Sequence, residues 1–183
     1  MNFKYSPYIL WCDCEMTGLN INQDELIEIA IVLTNWNLEI VDTGFTQVIK
    51  PSAHALAEMS TEVRVMHEAN GLLTALSNGV TLSEAENKIL KYLASFETKA
   101  QTMILAGNSI HSDKKFIDQQ MPALAKFLHY RLLDVSTIKI IAQAWYPEIA
   151  KLFHKNQSHR AMDDIVESIN ELNYYRERIF RRV

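Results

Sequence analysis

The chain has 183 residues, 48% hydrophobic and 22% charged, with 18 Lys and Arg against 22 Asp and Glu for a formal charge of −4. This length and composition suit one globular domain over 1–183 and exclude disorder as a description of the whole. Five glycines and four prolines exclude a collagen-like or linker-rich chain, and no apolar run approaches the roughly 20 residues needed to span a bilayer.

The apolar run near the start is short, is broken by Asp13 and lacks a small-residue cleavage site, so no signal peptide is expected. Residues 8–14, YILWCDC, are bulky and β-prone and predict a strand. Its two cysteines, Cys12 and Cys14, are the only ones in the chain. At two residues' spacing on a strand their Cα atoms are about 6.5–7 Å apart, too far for a relaxed disulfide. A zinc half-site would need further thiols, so both are expected to fill the core in a reducing cytoplasm. Residues 25–34, ELIEIAIVLT, predict a second, well-buried strand, and 41–50, VDTGFTQVIK, a third. The links are too short for crossover helices, so the first three strands should form an antiparallel meander.

After residue 60 the pattern turns helical. Helices are predicted over 60–70, 83–97, 112–120, 136–145 and 159–178, with short strands at 102–106 and 131–135. The second of these helices carries a buried stripe of Ile89, Leu90, Leu93 and Phe96, and a Thr81 or Ser83 capping box with Glu84 or Glu86. Strands alternating with helices imply parallel pairing. The expected fold is α/β: a five-stranded mixed sheet, three antiparallel strands then two parallel, flanked by helices. Residues 148–158 are the least patterned and predict a mobile loop leading into the last helix.

Chemistry enters through the acids. Asp13 and Glu15 are two apart on a predicted strand, so their carboxylates share a face. Buried together they repel and resist ionisation, and a divalent cation relieves both problems. Taken alone, D-x-E more often marks the solvent face of an edge strand. Asp113, however, follows a strand end, where ligands bind in α/β sheets. Asp164 lies in HRAMDD, five residues after His159. Five helical positions turn through about 500°, so the two share a face only if His159 precedes the helix. Without Asp13, Glu15, Asp113 and Asp164 the chain has 22 − 4 = 18 acids against 18 bases. Two divalent ions would offset those four, so the net charge does not oppose a phosphate substrate; nor does it suggest a basic surface for long duplexes.

The succession CDCEMTGL, GNSIHSDKKF, HYRLLDVST and SHRAMDDI resembles the oligoribonuclease family, a DEDDh group of 3′→5′ exonucleases with a ribonuclease H-like fold. The resemblance runs from about Ile9 to Phe180. It implies a hydrolase that degrades short oligoribonucleotides, especially dinucleotides, to 5′-mononucleotides with two Mg²⁺ or Mn²⁺ ions. Asp13, Glu15, Asp113 and Asp164 would hold the metals, and His159 would take a proton from the attacking water, a role that suits its near-neutral pKa. Arg131 would grip a terminal 5′-phosphate, with Ser109, Ser136 and Thr137 as hydroxyl donors. Tyr130 is carried over as a functional residue. Leu19 would wedge against bases, with the backbone of Met16 and Thr17 lining the terminal nucleotide and His67 among the substrate contacts. Glu62 stands where relatives carry a base-stacking aromatic. The resemblance further implies a cytoplasmic homodimer acting on short single-stranded RNA, with no membrane association or other stable protein partner. A homologous enzyme trimming longer 3′ tails, and a non-catalytic binding protein on the same fold, are the competing readings.

Overall fold

The computed structural model describes residues 4–153 and 160–180. Its sheet has the order β3-β2-β1-β4-β5. β1 (Tyr8–Met16) runs antiparallel to β2 (Leu26–Asn35), which pairs antiparallel with β3 (Phe45–Val48). On the other side β1 pairs parallel with β4 (Ile104–Gly107), and β4 with β5 (Leu132–Asp134). This is the mixed five-stranded sheet the sequence predicts, with β1 at its centre.

Alternation along β1 separates two layers. Leu10, Cys12 and Cys14 face a core shared with α4 (Leu82–Ala94), α5 (His111–Gln120) and α6 (Pro122–Phe127). Ile9 and Trp11 face a second core, closed by Ala161, Ile165 and Ile169 of α9 (Ala161–Arg178). The buried Trp11 indole is satisfied by donating to Thr34 Oγ1 at 2.8 Å. Both cysteines are buried free thiols, their sulfurs 3.8 Å apart. The α4 cap is Thr81 with Glu84, bonded reciprocally, and α7 (Val135–Trp145) follows β5 directly.

Several elements differ from the sequence reading. The third strand starts at Phe45 rather than 41, because Gly44 turns the chain at φ +75° just before it. Helix α1 (Ala53–Glu58), capped by Ser52, precedes α2 (Thr61–Ala69) and was not anticipated. Neither were α3 (Leu72–Ala75) and the 3-10 turn Leu76–Asn78, which begin at Gly71 where a helix end was expected. Pro122 stops α5 but also opens α6, its missing N–H being no loss in a first turn. Within the expected 148–158 loop, α8 (Pro147–Ala150) is a helical turn, and 154–158 lie outside the described residues. The last helix starts at Ala161 rather than 159. No described helix is long and apolar enough to cross a membrane.

Candidate active site

The second face of β1 continues past Trp11 to Asp13 and Glu15, beyond the apolar residues that close the core. Opposite Asp13 on β2 stands Ala30, whose small side chain leaves room above the sheet. The first turn of α9 crosses here and brings Asp164. Oxygens of Asp13, Glu15 and Asp164 all lie within 4.8 Å of one another. Asp113 approaches from the layer of α5. Its Oδ1 accepts the Cys14 backbone N–H at 2.9 Å, which ties the carboxylate to β1 between Asp13 and Glu15. The chain therefore gathers all four predicted acids at one end of β1.

The electrostatic consequence is direct. Burial pushes the Asp13 carboxyl well above the usual range, and the Asp113, Glu15 and Asp164 charges push it further. Glu15 is raised to about 8 by burial and then by Asp164. Asp113 is raised to about 7 by burial, against the lowering effect of the backbone N–H groups it accepts from. Acids that resist ionisation when alone are well suited to a cation. The donors are hard carboxylate oxygens, and the nearby thiols face the other layer, so the set fits Mg²⁺ or Mn²⁺ better than a thiophilic metal.

Around the acids the remaining predicted residues separate into groups. The turn after β1 is closed by Thr17, whose hydroxyl donates to Asp24 and accepts the Glu25 N–H. Asp24 also accepts from the Asn20 N–H. The Asp24 carboxylate lies so near Gly18 that a Cβ there would sit 2.5 Å from it. This braced turn leaves Leu19 81% exposed, outside the core. His67 of α2 lies fully buried beneath it and donates from Nε2 to the Met16 carbonyl at 3.0 Å. It holds the Met16 carbonyl at the end of β1 and does not face solvent. Glu62 is exposed in the first turn of α2.

Ser109 follows β4 at φ +51°, a strained backbone for a residue with a side chain. Its N–H is held by Asp134 Oδ1 and Ser136 Oγ, and its hydroxyl lies 3.2 Å from that of Ser136. Asn108 locks the pair in place. It accepts from the Ser136 hydroxyl and donates to Ser168 and to the fully buried Glu171 of α9. Thr137 is exposed beside them. Arg131 is not part of this group within one chain. It precedes β5, about 10 Å of strand away from Asp134, with its guanidinium bonded to the Tyr5 and Tyr130 hydroxyls. Tyr130 is 74% exposed and stacks on His129. His159 lies outside the described residues.

No sequence motif singles out Glu28. Its signal was an acid in the strand LIEIAIVLTN, whose neighbours are all buried. Glu28 pairs directly with Glu15 across the ladder, and its carboxylate meets Arg160 Nη2 at 3.0 Å. Asn108 and Glu171 were likewise unassigned, since no local pattern links residues 63 positions apart.

An exonuclease family profile matches residues 10–172. The oligoribonuclease of Leifsonia xyli subsp. xyli is 47% identical over 176 residues, covering 96% of this chain and 85% of that protein. The mitochondrial oligoribonuclease of Homo sapiens is 43% identical over 176 residues, 95% of this chain and 74% of its own length. Among solved structures, exonuclease I of Methylocaldum szegediense superposes with a TM-score of 0.73 at 16% identity, covering 95% of this chain and 41% of that one. The zinc-bound E. coli exonuclease I complex with single-stranded DNA gives 0.70 at 14% identity, with the same cover. The chain thus corresponds to about two fifths of exonuclease I, and at such identity the likeness concerns the fold, which is ribonuclease H-like as expected. Identity above two fifths along nearly the whole sequence is a different matter: this chain belongs to the oligoribonuclease family of exonucleases.

Proposed function

We propose that the chain is a 3′→5′ exoribonuclease that hydrolyses short oligoribonucleotides, dinucleotides above all, to 5′-mononucleotides. The observation that carries this reading is the convergence of Asp13, Glu15 and Asp164, with Asp113 tied to the same strand. Asp13, Glu15 and Asp164 would hold one divalent cation, with Asp13 and Asp113 supporting a second. Bound Mg²⁺ or Mn²⁺ would supply Lewis-acid stabilisation of the charge that develops on the scissile phosphate. The chain's own residues do the rest. His159 accepts the proton of the attacking water. Leu19, held out by the braced turn, presses against the bases of the substrate. The backbone of Met16 and Thr17, supported from below by His67, lines the terminal nucleotide. Ser109 and Ser136 present hydroxyls to a 5′-phosphate, with Thr137 alongside.

Tyr130 and Arg131 would act in a homodimer, each reaching the pocket of the partner subunit. The placement of Arg131 away from Ser109 and Ser136 favours this, and Trp145 and Tyr146 add exposed aromatic surface. Tyr175 of α9 is buried and takes no part in such a surface.

The same placement of Arg131 supports a second reading, an enzyme with no 5′ clamp that trims longer 3′ tails. One experiment separates the two. RNAs of two to twenty nucleotides, with and without a 5′-phosphate, are digested in Mn²⁺ at matched ends. A steep preference for 5′-phosphorylated dinucleotides supports the first reading. Equal rates on dimers and 20-mers establish the second. No Mn²⁺-dependent product from a folded protein removes both.

A further inference from the structure

Glu28 sits on the working face of the sheet yet is not among the three acids whose oxygens cluster. Directly opposite Glu15 on the ladder, it is close enough to compete for a cation, since facing side chains start about 5 Å apart. Its carboxylate, 1% exposed, is turned instead to the start of α9. Oε1 accepts from Arg160 Nη2 at 3.0 Å, and Oε2 lies 3.5 Å from the Ala161 N–H. Arg160 occupies the N-cap position without a side-chain cap bond of its own. Glu28 therefore supplies, from another element, the negative group that a helix N-terminus favours. Arg160 also donates from Nη1 to the Asn70 carbonyl at the end of α2, so one guanidinium joins β2, α2 and α9.

The connection to the acids is one hydrogen bond long. The Arg160 carbonyl accepts the Asp163 and Asp164 N–H groups at 3.0 and 3.1 Å. Whatever fixes Arg160 thus fixes the backbone from which the Asp164 carboxylate reaches Asp13 and Glu15. We propose that Glu28 and Arg160 form a positioning pair for the cation site: their ion pair sets the first turn of α9 so that Asp164 converges on β1, and it keeps Glu28 from acting as a ligand. The proposal rests on the metal-site reading above. Neither residue touches substrate in this account.

The test is Mn²⁺ binding measured by electron paramagnetic resonance on the full chain. Wild type, Asp164→Asn, Glu28→Gln and Arg160→Lys are compared, with folding followed by circular dichroism. Glu28→Gln is expected to weaken Mn²⁺ binding 10–100-fold, the range for groups that orient ligands without touching the metal. Arg160→Lys keeps the charge on the half-exposed side of the pair but loses the fork that spans Glu28 and Asn70. It is expected to fold normally, to bind Mn²⁺ severalfold more weakly, and to lower kcat with KM for dinucleotide unchanged. Excess Mn²⁺ should recover part of that kcat, which a merely structural lesion would not allow. Wild-type Mn²⁺ affinity in both a folded Glu28→Gln and Arg160→Lys overturns the positioning role alone. Should Glu28→Gln not fold, wild-type affinity in Arg160→Lys overturns it by itself. Wild type that binds no Mn²⁺, or binds it no better than Asp164→Asn, overturns the metal-site reading and this inference with it.

Discussion

Glu15, raised to about 8 by burial and by Asp164 across the pocket, makes the metal-free fold more stable in acid than in base. The unfolded chain ionises Glu15 near 4.5, its ordinary value, whereas the folded chain keeps the proton until about 8. Between those values the unfolded state binds fewer protons, so stability falls by about 1.4 kcal/mol per pH unit for this one group. The group favours folding fully only below 4.5, and that advantage is lost as the pH climbs through 8. From pH 6 to pH 8 the loss is about 2 kcal/mol, allowing for partial ionisation at the upper end. For a chain of this size it corresponds to a fall in melting temperature of about 4–8 °C. The measurement is a chelator-treated sample melted in buffers from pH 5 to 8.5, beside Glu15→Gln, which cannot ionise. The variant should show the shallower profile, by about 1.4 kcal/mol per unit, and this comparison removes the contribution of histidines. Saturating Mn²⁺ binds the ionised carboxylates, so it should flatten or reverse the wild-type profile. A metal-free melting temperature that rises from pH 6 to 8, or a Glu15→Gln profile parallel to wild type, would refute the electrostatic account.

Three further outcomes are expected. Asp13→Asn should abolish RNA hydrolysis while leaving the metal-free melting temperature unchanged or higher, because it removes one of several repelling acids; activity assays and calorimetry on the same preparation check both. Leu19→Ala should alter stability by no more than about 0.5 kcal/mol, as its side chain is exposed, yet raise KM for dinucleotides several-fold; unchanged KM would remove its role as a wedge. Glu171→Ala should cost about 2–4 kcal/mol in urea denaturation, since the fully buried acid partners Asn108, Tyr175 and Lys139.

Much of this was legible in the sequence for physical reasons. Strand β2 reads as buried from its run of branched residues, and D-x-E reads as a same-face pair because strands alternate. What periodicity did not reveal was anything depending on a partner far along the chain. Glu28 looks anomalous in its strand, but only Arg160, 132 residues later, explains it. Arg131 and Ser136 are neighbours in sequence, yet a strand lies between them, and no spacing rule shows that the guanidinium turns toward Tyr5. Helix α1 escapes notice because six residues carry too little pattern to register, and Pro122, just past the 112–120 helix, also begins a helix of its own.

The bond between the Cys14 amide and Asp113 closes 99 residues of chain, and Asp164 arrives later still. A polypeptide still on the ribosome carries its D-x-E strand early but gains the final carboxylate only when α9 emerges. Until then the cluster that joins Asp13, Glu15 and Asp164 is incomplete. Gathering these carboxylates therefore requires nearly the whole fold, not any one local segment of it.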